Sequence, residues 1–375
     1  MMQSLYIGDN GNTEFRNGGL VFILPQSFTS NSPYNRNVRL IEIGKSMDHF
    51  NYSNPISVQK LKDKIDSIFD FNQDLKFVLN FAGEESIVDD TIFEFYKELL
   101  HNKKILLLTN NAKFLGRDNH IFYNCNTWIM EDLSPHFIDS LNRIKQCDLG
   151  TIKKKFMFLN NHFSKIRFDI LKMIYKNNKQ SEGNISFNLI DLTKLPFDGL
   201  ETEAQFKKEC EEYSIQYPSY YDTYPTLTQI GDEERERKKI LGINHIGTVE
   251  VNYRIYLESF FEIVTETGHL LKVDKGVFVS EKIHKNLKTG SPFIYHGKKE
   301  LKECLERVGF SFKSPMYFFG EGEEYMNYLS DILNKDIEWY NDIQRTYLDE
   351  YYRNSMRYMS FQINQSNNIV KFLYK

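Results

Sequence analysis

An α/β protein of two doubly wound, Rossmann-like domains facing each other across a cleft is what the sequence predicts, on three observations. Short apolar runs alternate with amphipathic stretches in both halves of the chain, the pattern of parallel βαβ units. A polar run over 146–155, containing Gly150 and ending in three consecutive lysines, separates the halves. The length of 375 residues suffices for two domains, each with its own core.

In the first half, residues 4–8, 19–24, 38–43, 76–81 and 104–109 read as strands, because they are short and rich in Val, Ile, Leu and Phe. Residues 90–100 read as a helix whose broad apolar face carries Ile92, Phe93, Phe95, Tyr96, Leu99 and Leu100. A further helix over 134–145 opens on Ser134–Pro135, an N-cap followed by a residue suited to the first turn. Strand, helix, strand at this spacing gives parallel pairing.

The second half starts again with a strand at 156–159 and a helix over 165–176, which has Ile166, Ile170, Met173 and Ile174 on one face. The next strand is 185–189. Residues 200–240 turn from charged to aromatic and back to charged, and read as an insertion or mobile lid. Strands return at 260–265 and 277–279. A helix at 298–308, a strand at 316–319 and helices to about 357 complete the pattern. The expected domains are thus 1–150 and 151–345, with 346–375 as a C-terminal helix or tail packing back on the first domain. Ligands in such sheets sit beyond the carboxyl ends of the strands.

The totals narrow the function. Net charge is −4, without the basic excess of a nucleic-acid binder, so any contact with DNA or RNA requires a local patch. Cys125, Cys147, Cys210 and Cys304 are far apart and form no C-x-x-C pair. That argues against a zinc site or a disulfide framework and for a reducing, cytoplasmic compartment. No apolar run approaches the roughly 20 residues of a membrane span, and residues 1–6 carry no secretory pattern. His162, His245, His269 and His284 lack metal-ligand spacing, and no Asp-x-Asp occurs. Neither a metal nor a resident cofactor is expected.

The most informative segment is 277–297. Ser280 is placed to cap a helix whose first turn holds Glu281 and Lys282, Gly290 ends that helix, and Pro292 prevents its continuation. The first turn is an anion site by its free N–H groups and dipole. Lys282 adds charge where a diphosphate would lie, and Glu281 can accept two hydrogen bonds from a cis-diol such as a ribose. An ordinary capped helix with a solvated charge pair fits the same spacing.

Phe278, Val279, Ser280, Glu281 and Lys282, followed by Pro292, Phe293, Ile294, Tyr295 and Gly297, resemble the donor-binding motif of the α-1,3-fucosyltransferases and their viral and bacterial relatives. Ser280 stands for the usual Thr, and Phe293 is an extra residue after the proline. Two upstream pieces follow the family's order: an apolar strand over 260–267 with Glu266 in the carboxylate position, and the run 156–167 in which Arg167 opens a helix. The resemblance covers about a third of the chain. It implies a GT-B fold and a nucleotide-sugar donor held by Arg167, Glu266, Ser280, Glu281, Lys282 and Tyr295, with Arg167 on the pyrophosphate. It also implies inverting transfer without metal and release of a nucleoside diphosphate.

The base for such a reaction is expected from the first domain. Residues 77–86 place Glu84 and Glu85 directly after a strand, and Glu84 matches the glutamate of the family's Gly-Glu-Asn turn. Glu85 replaces the asparagine. Asp48 and His49 are a weaker pair. The acceptor stays open between a glycan hydroxyl and hydroxymethylated DNA, as with phage transferases that add glucosyl or arabinosyl groups. A non-catalytic nucleotide- or sugar-binding module on the same fold is the rival from another class.

Overall fold

The computed structural model describes residues 4–7, 13–16, 38–42, 76–81, 105–109, 112–115, 121–123, 152–160, 164–188, 203–215, 220–222, 253–266, 277 and 279–374. They form a mixed α/β structure with two six-stranded sheets. The first sheet contains β1 (Ser4–Ile7), β2 (Thr13–Arg16), β3 (Val38–Glu42), β4 (Lys76–Phe81), β5 (Ile105–Thr109) and β6 (Ile121–Tyr123), in the order β2-β1-β3-β4-β5-β6. β1, β3, β4, β5 and β6 are parallel, and β2 is antiparallel to β1. The expected strand at 19–24 and the helices at 90–100 and 134–145 lie outside the described residues.

The second sheet contains β7 (Lys154–Asn160), β8 (Gly183–Asn188), β9 (Tyr220–Asp222), β10 (Ser259–Thr265), β11 (Phe293–His296) and β12 (Phe318–Gly320), in the order β12-β11-β10-β7-β8-β9. Five of these strands are parallel, and β9 closes one edge antiparallel to β8. The chain leaves β7 toward β8 and returns to place β10 on β7's other side. The strand order therefore reverses between β7 and β10. All seven residues of β10, Ser-Phe-Phe-Glu-Ile-Val-Thr, are buried, as a central strand of a parallel sheet covered on both faces requires. Phe156 and Phe261 meet across β7 and β10 with ring centroids 6.3 Å apart.

Helix Lys165–Lys176 spans the residues its periodicity predicts and buries Phe168, Ile170, Leu171 and Ile174. Helix Glu281–Thr289 ends where Gly290 takes a left-handed conformation, φ 67°, and returns its N–H to Asn286 and Leu287. Two expectations change, and one helix is new. Val277 and Val279 lie in no strand, and the Val277 carbonyl instead accepts a hydrogen bond from the Ala112 N–H at 2.6 Å. Residues 203–215, read as part of an insertion or mobile lid, carry helix Glu203–Glu212 and send Cys210 and Ile215 into the core. Helix Tyr253–Glu258, which no sequence pattern announced, leads into β10.

After β12 come helix Gly322–Leu333 and helix Ile337–Tyr374. The segment read as a C-terminal helix or tail from residue 346 is the continuation of this last helix. At 38 residues the helix is about 57 Å long, and it runs from the second sheet to the vicinity of β6. Its buried stripe includes Tyr340, Tyr351, Ser355 and Tyr358. Tyr340 stacks on Phe260 at 5.1 Å, and the Ser355 hydroxyl donates to the Lys288 carbonyl. The halves also touch where the Arg307 guanidinium donates to the Lys113 and Leu115 carbonyls, at 3.0 and 3.1 Å. Among the described residues no helix is long and apolar enough to cross a membrane.

Candidate functional site at the strand-order reversal

A parallel sheet sends every following helix back from its carboxyl edge, so the loops and helix starts gather there. In the second sheet the last residues of four strands fall close to one register row. Thr265 pairs with His296, and His296 pairs with Gly320. Asn160 stands beside Thr265 and accepts a hydrogen bond at Oδ1 from the Thr265 hydroxyl at 3.1 Å. Hydrophobic strands thus end in a polar rim.

Arg167 reaches this rim from the first turn of helix Lys165–Lys176. Its side chain is 1 % exposed. Nε–H donates to Thr265 Oγ1 at 2.9 Å and an Nη2 hydrogen donates to the Thr265 carbonyl at 3.0 Å. A buried guanidinium is tolerable only with such partners. The arginine therefore ties β7's helix to β10 across the point of reversal, and Glu266 follows directly, also buried. The charges of Glu266 and Glu321 add to burial, the larger cause, in holding the Tyr295 phenol well above its ordinary pKa. Glu266, Tyr295 and Glu321 therefore gather at the ends of β10, β11 and β12. The Tyr295 ring lies over Gly297, where an added Cβ would come within 2.4 Å of it. The Tyr-x-Gly spacing is thus a packing requirement.

Both helices that start at this edge have a serine at the N-cap. Neither Ser164 nor Ser280 makes a side-chain capping bond, so the expected role of Ser280 as a cap is corrected. Each hydroxyl oxygen is buried without a hydrogen-bond partner, as is Asn160 Nδ2. His296 is a further member of the rim. Burial lowers its imidazole pKa to about 4, which keeps it neutral, and its ring meets Tyr325 edge-on at 4.8 Å. His296 Nδ1 and the Tyr325 hydroxyl are also buried and without partners.

Glu281 opens the second helix, and its side chain lies outside the described residues. Lys282, half-buried in the same turn, lies near enough to Glu262 to favour its ionised form. Glu262 sits in the middle of β10, hydrogen-bonded by the Tyr256 hydroxyl at 3.1 Å and by the Asn286 amide. Burial outweighs these contacts and raises its pKa to about 7. Glu84, Glu85, Asp48 and His49 lie outside the described residues. The structure places Arg167, Glu266 and Tyr295 at the carboxyl edge of the second sheet, and Ser280 and Lys282 at the start of helix Glu281–Thr289, whose Asn286 bonds Glu262 of β10. It adds Asn160, Ser164, Thr265 and His296, which fall inside the motif runs but carry no role in the resemblance. Their one available signal was position, since each ends a strand or starts a helix.

Chemically, the edge offers hydrogen-bond donors, two helix starts and buried positive charge, with a carboxylate beside them. That combination suits a ligand carrying both anionic oxygens and hydroxyls. The chain matches no protein-family model, and no curated protein matches it.

Proposed function

We propose that the chain is a nucleotide-sugar-dependent glycosyltransferase of the two-domain GT-B type, with the second sheet holding the donor and the first sheet facing the acceptor. The observation that carries this reading is the polar rim at the reversal between β7 and β10. There Arg167 of helix Lys165–Lys176 is tied to Thr265 at the end of β10, and helix Glu281–Thr289 packs on the same strand through Asn286 and Glu262. Parallel sheets bind nucleotides at that position. The resemblance of Ser280, Glu281, Lys282, Tyr295 and Gly297 to the fucosyltransferase motif supplies the donor class. Arg167, Lys282 and the helix starts stabilise the departing diphosphate, and Glu266 and Glu281, which the resemblance assigns to the donor, take the hydroxyls of ribose or sugar. A carboxylate of the first half, Glu84 in the first instance, takes the proton of the acceptor hydroxyl, which belongs to a glycan.

A panel of UDP-, GDP-, ADP-, CDP- and dTDP-sugars, read by thermal shift and followed by turnover assays with and without EDTA, tests the reading. One donor is expected to raise the melting temperature, and turnover is expected to persist in EDTA. A chain that binds none of the panel is not a transferase of this kind. Donor binding without hydrolysis or transfer would favour a non-catalytic binding module.

A further inference from the structure

We propose that Asn160 and Ser164 contact the anionic part of the ligand, and that Thr265 is the positioning residue that turns the Asn160 amide toward it. This rests on reading the strand-order reversal as a diphosphate site and gives roles to residues inside the runs 156–167 and 260–267 to which the motif resemblance assigns none. A guanidinium only donates, so the Nε–H of Arg167 fills an acceptor position on Thr265 Oγ1 at 2.9 Å. The single proton of that hydroxyl is then directed to Asn160 Oδ1 at 3.1 Å. With Oδ1 fixed as the acceptor, Nδ2 must present its two hydrogens on the other side of the planar amide. Asn160 is 2 % exposed and Nδ2 has no partner.

Four residues on, Ser164 is 8 % exposed, and its hydroxyl also lacks a partner. A serine at a helix N-cap ordinarily accepts a hydrogen bond from the first turn, but this one makes no capping bond. The N–H groups of that turn face the same end of the helix. The groups left over at this point are therefore an amide NH2, a hydroxyl and a helix start, all able to donate, with a buried guanidinium behind them. Their complement is an acceptor-rich, negatively charged oxygen cluster. A nucleotide's diphosphate and free pyrophosphate share that chemistry.

Calorimetric titration of the full chain with inorganic pyrophosphate, with UDP, GDP, ADP, CDP and dTDP, and with the matching nucleosides separates the two sources. Asn160→Asp keeps the shape and exchanges the donor for an acceptor. It is expected to weaken pyrophosphate and the bound nucleoside diphosphate alike, by about tenfold to a hundredfold, and to leave the nucleoside unchanged. Thr265→Val is expected to act in the same direction, and Thr265→Ser, which keeps the hydroxyl, to restore binding. Should Asn160→Asp not fold, Ser164→Ala carries the same test without touching the strand. Unchanged affinity in folded Asn160→Asp overturns the contact, and Thr265→Val equal to Thr265→Ser overturns the positioning role. If these variants bind normally while Lys282→Ala is weakened, this proposal fails and the diphosphate-site reading stands. A wild-type chain that binds neither pyrophosphate nor any of the five diphosphates overturns both.

Discussion

Replacing Glu262 by Gln should change how stability depends on pH, by an amount the structure sets. The carboxyl lies in the centre of β10, 2 % exposed, and accepts from the Tyr256 hydroxyl and the Asn286 amide. Burial raises its pKa from 4.5 to about 7 despite the nearby Lys282 and Lys285. Below pH 4.5 it is protonated in both the folded and unfolded chain. Between 4.5 and 7 the folded chain holds a proton that the unfolded chain has released, so stability falls as pH rises. Across that window the loss is about 3 kcal/mol. Glutamine keeps the acceptor and never ionises, so the stability of Glu262→Gln relative to wild type should grow by that amount from pH 4.5 to 7.5. His296 acts with the opposite sign. Its pKa falls from 6.5 to about 4, so its contribution is lost as pH falls through that range. Between pH 4.5 and 6.5 the two slopes oppose each other, and the variant removes the carboxyl's share. Urea unfolding at half-unit pH intervals, followed by near-UV circular dichroism, measures this. A constant difference between variant and wild type from pH 4.5 to 7.5 would refute a neutralised carboxyl in β10.

Arg167→Lys keeps the charge but not the paired bonds to Thr265. It is expected to lower both the melting temperature and diphosphate affinity, whereas Lys282→Ala should lower only the affinity, by roughly tenfold to a hundredfold. Normal titration curves for both would remove the diphosphate from this edge. Glu84→Gln is expected to reduce kcat by about 10²–10⁴-fold while donor affinity holds. If Glu85→Gln or Asp48→Asn has that effect instead, the base is reassigned. Gly297→Ala forces the Tyr295 ring aside and is expected to cost about 1–3 kcal/mol in denaturant unfolding. An unchanged midpoint would show that the ring moves freely.

The sequence by itself determined what depends on neighbours along the chain. The period of helix Lys165–Lys176, its apolar face, the left-handed Gly290 stop and most strands are local, set by side-chain spacing and backbone preference. Even β2 was legible in principle, because Gly8-Asp-Asn-Gly-Asn12 is a turn signal between two short runs. What required the tertiary structure depends on partners distant in sequence. An apolar run becomes a strand only beside another strand, and Val277 gives its carbonyl to Ala112 instead. Ser280 has the composition of a cap, yet its hydroxyl is left without a bond. Arg167 stands 98 residues from the threonine that holds it. Glu262 reads as one polar residue in an apolar strand, and only the desolvation of both sheet faces shifts its proton. Hydrogen-bond partners and local dielectric are properties of the packed chain, so the site's elements were readable from the sequence while its electrostatics were not.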